Sequence, residues 1–281
     1  MPELPEVETV RRGLNEMTLG FEILGGKVLL ARTVAHPLFL ADFWAGLRGS
    51  AIANWHRRGK YLLAELTQSH RPAGWLGVHL RMTGQLLWLA QNTPLQKHTR
   101  VRLFFPNHRE LRFVDMRTFG RLWWVPPEQE PESIITGLQK LGPEPFSANF
   151  SIQYLQTALK QRHRPIKNAL LDQSLVAGVG NIYADEALFL SGIRPTTLCK
   201  NLQRAQIKKL HAQLLQVLET SIQVGGTSFS NFLDVRGTNG NYGGVAQVYN
   251  REGDPCRVCG QAIQRLKLAG RSAHFCPQCQ K

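Results

Sequence analysis

The chain has 281 residues, 43% of them hydrophobic, with 34 Lys+Arg against 20 Asp+Glu and a formal net charge of +14. That length accommodates two domains with cores of their own. The charge selects a polyanionic partner, nucleic acid first, although anionic membrane surfaces and acidic proteins attract the same charge. The first 20 residues carry Glu3, Glu6, Glu8 and Glu16 and hold no signal-peptide core, and no segment has 18 uninterrupted apolar residues. A cytoplasmic, nucleoid-associated, non-secreted protein with no membrane partner is expected.

At the N-terminus Met1 precedes proline, a small residue after which the initiator is ordinarily removed, so the mature chain is expected to begin with the secondary amine of Pro2. Leu4, Val7, Val10, Leu14 and Met17 recur at intervals of three and four, which predicts an amphipathic helix with prolines in its first turn. Glu3 and Glu6 fall on one face of it. An amine at a helix start feels the positive end of the dipole and is partly desolvated; both favour the neutral form, whose lone pair can attack a carbon. The same residues also describe an ordinary capped helix start, and local physics leaves both readings open.

From Phe21 to Val125 the sequence reads as short strands, such as Tyr61–Leu66 and Arg100–Phe105, separated by Gly, Pro and Asn. A β-rich first domain over residues 1–130 is expected. Pro126, Pro127, Glu128, Glu130 and Glu132 change the composition abruptly, and residues 131–150 are expected to be a linker. Beyond it Ile152, Leu155 and Leu159, then Ala184 and Leu188, then Leu202, Ile207, Leu210, Leu214, Leu215 and Leu218 recur at helical spacing. The helical domain is expected to span 151–245 and to end in a mobile functional loop, 225–244, which holds six glycines.

Residues 246–281 carry the cysteines. Cys256-x2-Cys259 is followed after 16 residues by Cys276-x2-Cys279, the spacing at which two turns offer four thiolates to one tetrahedral zinc. Four thiolates close the shell, so one structural Zn2+ is expected and no organic cofactor. Between the pairs, Arg265, Lys267 and Arg271 lie on a segment long enough for a two-stranded ribbon turning at Ala269-Gly270, with Arg271 near its tip. That arginine reads equally as a phosphate contact or as a solvated turn charge.

Pro2-Glu-Leu-Pro-Glu-Val-Glu-Thr-Val10 at one end and the four-cysteine finger at the other resemble the formamidopyrimidine-DNA glycosylase (Fpg) family along the whole chain. The resemblance implies an α+β fold: an N-terminal β-sandwich domain with an N-terminal helix, then a helical (helix-two-turn-helix) domain ending in a four-cysteine zinc finger. It implies that Pro2 attacks C1′ of the damaged nucleotide, that Glu3 donates and shuttles protons, and that Glu6 supports the site. Lys60, in Arg57-Arg-Gly-Lys-Tyr61, matches the family's lysine for strand cleavage and phosphate contact. Met82, in His79-Leu-Arg-Met-Thr-Gly84, joins Arg117 and Phe119, in Asp115-Met-Arg-Thr-Phe-Gly120, as the trio that fills the gap left by an extruded base. His98 matches a DNA contact, Asn181 the phosphate-gripping position of the helix-two-turn-helix element, and Arg271 the finger arginine, with catalytic and DNA-binding roles.

Gly225–Phe232 resembles the segment that folds over the everted base, whereas Leu233–Gly244 departs from the commoner family pattern and leaves open which oxidised purine is preferred. The implied function is excision of oxidised purines from double-stranded DNA, with lyase cleavage at abasic sites, by a monomer. A pyrimidine-specific endonuclease VIII-like activity is disfavoured by the Leu4-Pro5 context and by the Arg117/Phe119 pairing. A catalytically idle DNA-binding protein is disfavoured by the occupancy of every matched catalytic position.

Overall fold

Alternation builds the first half of the chain. In the strand Thr99–Phe105, Thr99, Val101, Leu103 and Phe105 are buried while the residues between them are not, the period of a strand with one face on a core. The computed structural model describes residues 1–227 and 232–281. Its strands in chain order are β1 (Gly25–Val28), β2 (Val34–His36), β3 (Ala51–Arg58), β4 (Tyr61–Gln68), β5 (Arg71–His79), β6 (Gly84–Ala90), β7 (Thr99–Phe105), β8 (Arg109–Asp115) and β9 (Arg121–Val125). They form a four-stranded sheet, β1-β7-β8-β6, and a five-stranded sheet, β2-β9-β5-β4-β3. Neighbours are antiparallel except β2 and β9, which run parallel. One apolar core, with Trp55, Leu62 and Leu76 from the larger sheet and Val101, Leu111 and Phe113 from the smaller, joins them into a sandwich.

The N-terminal helix α1 (Leu4–Thr18) adds Val7, Val10 and Leu14 to that core, each fully buried and each stabilising by about 1.5–3 kcal/mol. Helix α2 (Leu40–Leu47) adds Phe43 and Leu47. Polar contacts fix how α1 sits on the sheet. Asn15 accepts the Trp55 N–H at 2.7 Å and returns a bond to the Trp55 carbonyl at 3.1 Å, and the Trp55 indole donates to Thr18 Oγ1 at 2.9 Å. Glu8, only 9% exposed, accepts from Arg11 (2.8 Å), Arg12 (3.0 Å) and Arg57 of β3 (3.1 Å). Burial alone would raise the Glu8 carboxyl, but the three guanidiniums outweigh it and bring it down to about 2.

The expected linker is not a bare connection. Two short helices, α3 (Pro131–Ile134) and α4 (Thr136–Gln139), occupy its first half, with Pro131 in the first helical turn and Ile135 and Leu138 buried. The chain divides into two compact units just after them: Met1–Gln139 with Gly225–Gly240, and Lys140–Val224 with Asn241–Lys281. The glycine-rich loop, expected inside a domain spanning 151–245, therefore packs for the most part with the first unit. Its Phe232 and Val235 join the sandwich core, and the Val235 carbonyl accepts the Trp88 N–H at 2.9 Å. The loss of apolar exposure outweighs proximity in sequence.

The second unit is helical, as the spacing predicts: α5 (Ile152–Lys160), α6 (Ile166–Leu170), α7 (Asn181–Ser191) and α8 (Arg204–Gln223), followed by the ribbon strands β10 (Gln264–Leu268) and β11 (Arg271–Phe275). Helix α7 is buried along nearly its whole length and packs on α8, where the Tyr183 and Ser221 hydroxyls bond at 2.6 Å. A buried ion pair ties α6 to α7: Lys167 Nζ lies 2.5 Å from Asp185 Oδ1, both side chains at 0% exposure. The same ammonium donates to the Ser272 carbonyl of β11, and Asp185 Oδ2 accepts the His274 N–H at 3.0 Å.

Two stability measurements follow. The lowered Glu8 carboxyl stabilises the fold above its ordinary range near 4.5, and this is lost as pH falls towards about 2. Glu8→Gln is expected to cost on the order of 1–2 kcal/mol at neutral pH, discounted for partial solvent screening, with the gap to wild type closing below pH 4 in urea titrations. Lys167→Met strips the ammonium from buried Asp185, which keeps only the N–H and imidazole of His274, and a loss of about 3–5 kcal/mol is expected in the same assay.

Candidate active site and nucleic-acid interface

The expected catalytic N-terminus folds inward. Pro2 is buried, Glu3 is 3% exposed and Glu6 is 0% exposed. Glu3 occupies the N-cap of α1, and its N–H donates to Glu6 Oε2 at 2.8 Å, one arm of a capping box. Glu6 Oε1 accepts the N–H of Thr227, 221 positions further along the chain, at 2.9 Å, so one carboxylate joins the start of α1 to the glycine-rich run. The glycines let that backbone approach. Gly226 has φ +84°, and a Cβ there would stand 3.1 Å from the Glu6 side chain; a Cβ at Gly240 would fall 2.3 Å from the Gly226 carbonyl. Ser228–Asn231, within the segment expected to cover an everted base, lie outside the described residues.

Lys60 is 7% exposed in the two-residue turn between β3 and β4. Arg57 pins that turn, its Nη1 donating to the Gly59 carbonyl at 3.1 Å while its Nε binds Glu8 of α1. Helix and lysine turn are thereby linked through one guanidinium. A residue that sequence reasoning passed over stands beside them. His79 pairs with Tyr61 across β4 and β5, its ring edge-on at 4.4 Å, and is 7% exposed. Burial, then the charges of Arg81 and Lys60, push the imidazole down to about 3. It is neutral; its Nδ1 accepts the Arg81 N–H at 2.9 Å, which leaves the proton on Nε2 as a donor. The signal was present, since His79 opens the stretch that contains Met82.

The trio expected to fill an extruded base's gap lies on adjacent turns. Half-buried Met82 sits between β5 and β6, and the exposed Arg117 and Phe119 between β8 and β9, the guanidinium 4.9 Å from the phenyl centroid. The Thr83 hydroxyl accepts the Arg117 N–H at 3.0 Å and holds the two turns together. His98, half-buried before β7, joins the same end of the sandwich: its carbonyl accepts the Asp115 N–H at 2.9 Å. The loop before His98 is held from beneath by Arg112, 0% exposed, which donates to the Thr93 and Pro94 carbonyls at 3.0 and 2.9 Å and pairs with buried Glu110. Two apolar side chains beside an exposed guanidinium have the chemistry to fill a base-pair gap.

In the second unit the structure brings Asn181 and Arg271 to one place. Asn181 is the first residue of α7, with Gly180 rather than Asn181 at the cap, and its Nδ2 donates to Ser272 Oγ at 3.2 Å; its Oδ1 is buried without a hydrogen-bond partner among the described residues. Arg271 is exposed at the start of β11, after a turn in which Ala269 and Gly270 both have positive φ, as the sequence predicts. Lys167 and Asp185 hold β11 from below.

The four cysteine sulfurs lie within 4.8 Å of one another, Cys259 to Cys276 at 3.5 Å and Cys256 to Cys279 at 3.9 Å. Thiolates about 2.3 Å from one tetrahedral zinc stand about 3.8 Å apart, so these donors fit that ion. Gln280 ties the finger back, donating to the Ile193 carbonyl just beyond α7 at 2.8 Å.

Comparisons with known proteins agree along the whole chain. Residues 1–122 match the formamidopyrimidine-DNA glycosylase N-terminal domain, 141–232 the H2TH domain of the same glycosylase, and 253–281 the zinc finger found in FPG and IleRS. A formamidopyrimidine-DNA glycosylase from Nostoc punctiforme is 68% identical over 280 residues, covering 100% of this chain and 96% of the relative. The Lactococcus lactis Fpg bound to abasic-site DNA is 35% identical with a TM-score of 0.90 and 99% coverage of both chains. The same enzyme bound to Fapy-dG DNA is 35% identical with a TM-score of 0.89, covering 99% of this chain and 100% of that one. The three matched family regions and the full-length relatives place the chain in the formamidopyrimidine-DNA glycosylase family.

Proposed function

We propose that the protein excises oxidised purines, 8-oxoguanine and formamidopyrimidines, from duplex DNA and then cleaves the strand as an abasic-site lyase. The reading rests above all on the buried Pro2-Glu3-Glu6 cluster at the start of α1, and it is supported by the relatives' complexes with abasic and Fapy-dG DNA. The +14 charge supplies sequence-independent attraction to phosphates. Met82, Arg117 and Phe119 occupy the gap as the damaged nucleotide leaves the stack, which offsets unstacking of a few kcal/mol, and Arg117 hydrogen-bonds the orphaned cytosine. His98, Asn181, Lys60 and Arg271 bind the backbone.

Once Met1 is removed, the Pro2 nitrogen attacks C1′, the C1′–N bond to the base breaks, and the departing base takes a proton from Glu3. Glu3, now a carboxylate, takes the Pro2 N–H proton and passes it to O4′ as the C1′–O4′ bond opens. The iminium so formed between Pro2 and C1′ draws electrons, so the C2′ proton is lost and the 3′ phosphate leaves in β-elimination; δ-elimination then expels the 5′ phosphate. Lys60 supplies a proton in strand cleavage, and Arg271 holds the leaving phosphate by charge-assisted hydrogen bonds. Glu6 keeps Glu3 at its post. Cys256, Cys259, Cys276 and Cys279 would hold one zinc, which would supply structural closure to the ribbon that carries Arg271 rather than a site for substrate. No organic cofactor is needed, because the iminium is itself the electron sink. That one chain holds every matched position supports action as a monomer, and the +14 charge supports residence on DNA, at the nucleoid of the cytoplasm.

Incubation with an 8-oxoguanine:cytosine duplex under borohydride is expected to give a covalent protein–DNA adduct mapped by mass spectrometry to Pro2. Glu3→Gln is expected to abolish base excision while duplex binding persists. A chain lacking Met1 that forms no adduct, or a Glu3→Gln variant with full excision, overturns the assignment. Greater activity on a thymine glycol duplex would move it to pyrimidine lesions.

A further inference from the structure

One buried carboxylate organises both wedge turns. Asp115, 1% exposed at the end of β8, accepts at Oδ1 from the Thr83 hydroxyl (2.5 Å) and the Arg117 N–H (3.2 Å), and at Oδ2 from the Gly120 N–H (2.8 Å). Thr83 follows Met82, Arg117 begins the exposed pair, and Gly120 follows Phe119, so a single side chain fixes the flank of all three wedge residues. Its backbone extends the set: the Asp115 N–H donates to the His98 carbonyl, and the Asp115 carbonyl accepts from Arg100 Nε at 2.8 Å, whose Nη2 lies 3.2 Å from His98 Nδ1. Between the two anchored N–H groups, Thr118 adopts φ +59°, a conformation that a β-branched residue holds only when its surroundings impose it.

We propose that Asp115 is the positioning residue of the wedge: it holds Met82, Arg117 and Phe119 in their inserting arrangement before DNA arrives, and so governs extrusion of the nucleotide rather than the chemistry at C1′. The proposal rests on the reading that this trio enters the gap. Asp115 acts through the turns and reaches no reacting atom. Three donors meet its two oxygens, so asparagine cannot substitute: its amide keeps one acceptor oxygen and turns an NH2 donor towards a second donor. Released turns must be ordered during insertion, and that cost falls on the extrusion step.

The test uses the full-length protein and a duplex with 8-oxoguanine opposite a fluorescent cytosine analogue that brightens when its partner leaves the stack. Asp115→Asn is expected to slow the fluorescence rise about tenfold or more, the effect of losing roughly one to two buried hydrogen bonds. Borohydride trapping on a single-stranded abasic oligonucleotide, which needs no wedge, should stay within about twofold of wild type, since the chemical step itself is untouched. On the Phe119→Ala background Asp115→Asn should add less than its full loss, because one of the three side chains it positions is already gone. Equal extrusion rates for variant and wild type, or losses that multiply independently, would overturn the proposal. Should Asp115→Asn fail to melt cooperatively, Thr83→Val removes the shared hydroxyl and is read the same way. A wild type that neither brightens the duplex nor traps on either DNA would instead sink the functional reading.

Discussion

The arrangement of the site depends on a carboxylate with no exposed surface. Glu6 sits in the first turn of α1 and takes a backbone N–H on each oxygen, from Glu3 on one side and from Thr227 on the other. An ionised carboxylate away from water is costly unless its lone pairs are filled, and charge-assisted bonds to backbone N–H groups fill them well. The requirement for both donors at once holds the proline end of the chain and the glycine-rich run in one place. Glycine at 226 is what lets the backbone come close enough. The sandwich core, through Val7, Val10 and Leu14 beneath and Phe232 and Val235 beside, keeps the two segments from drifting apart.

The same division of labour recurs through the molecule. Aliphatic and aromatic burial decides the fold, while buried charged side chains decide where the functional loops rest. Glu8 and Arg57 tie α1 to the lysine turn, Arg112 and Glu110 hold the loop before His98, and Lys167 and Asp185 seat the strand that starts at Arg271. Ion pairs of this kind contribute little net stability against an apolar replacement, so their use here marks positions where geometry matters more than free energy. The finger extends this: four sulfurs close about one site, and Gln280 anchors the closed unit just beyond α7.

Much of this was legible in the sequence wherever a period or a spacing carried it. The three-and-four pattern from Leu4 to Met17 gave the helix, the short strand-like run Arg100–Phe105 bounded by breakers gave β7, and the double Cys-x2-Cys with Ala269-Gly270 gave the finger and its turn. What escaped were long-range choices. A glycine-rich run has no periodicity, so nothing local showed that Gly225–Gly240 would join a sandwich formed more than a hundred residues earlier. Pro131 did announce a helix start, but the acidic, proline-rich context of α3 and α4 read as a connection. His79 ends β5, whose last four residues are all buried, and its neutral state arises from that burial and from neighbours visible only in the fold.

The coupling through Glu6 is open to direct measurement by amide hydrogen exchange. The Thr227 amide should be strongly protected in the wild-type protein and should exchange freely in Glu6→Ala, while amides in the later turns of α1 stay protected in both. A Thr227 amide that exchanges at the unprotected rate in wild type, or that keeps its protection without Glu6, would contradict the account.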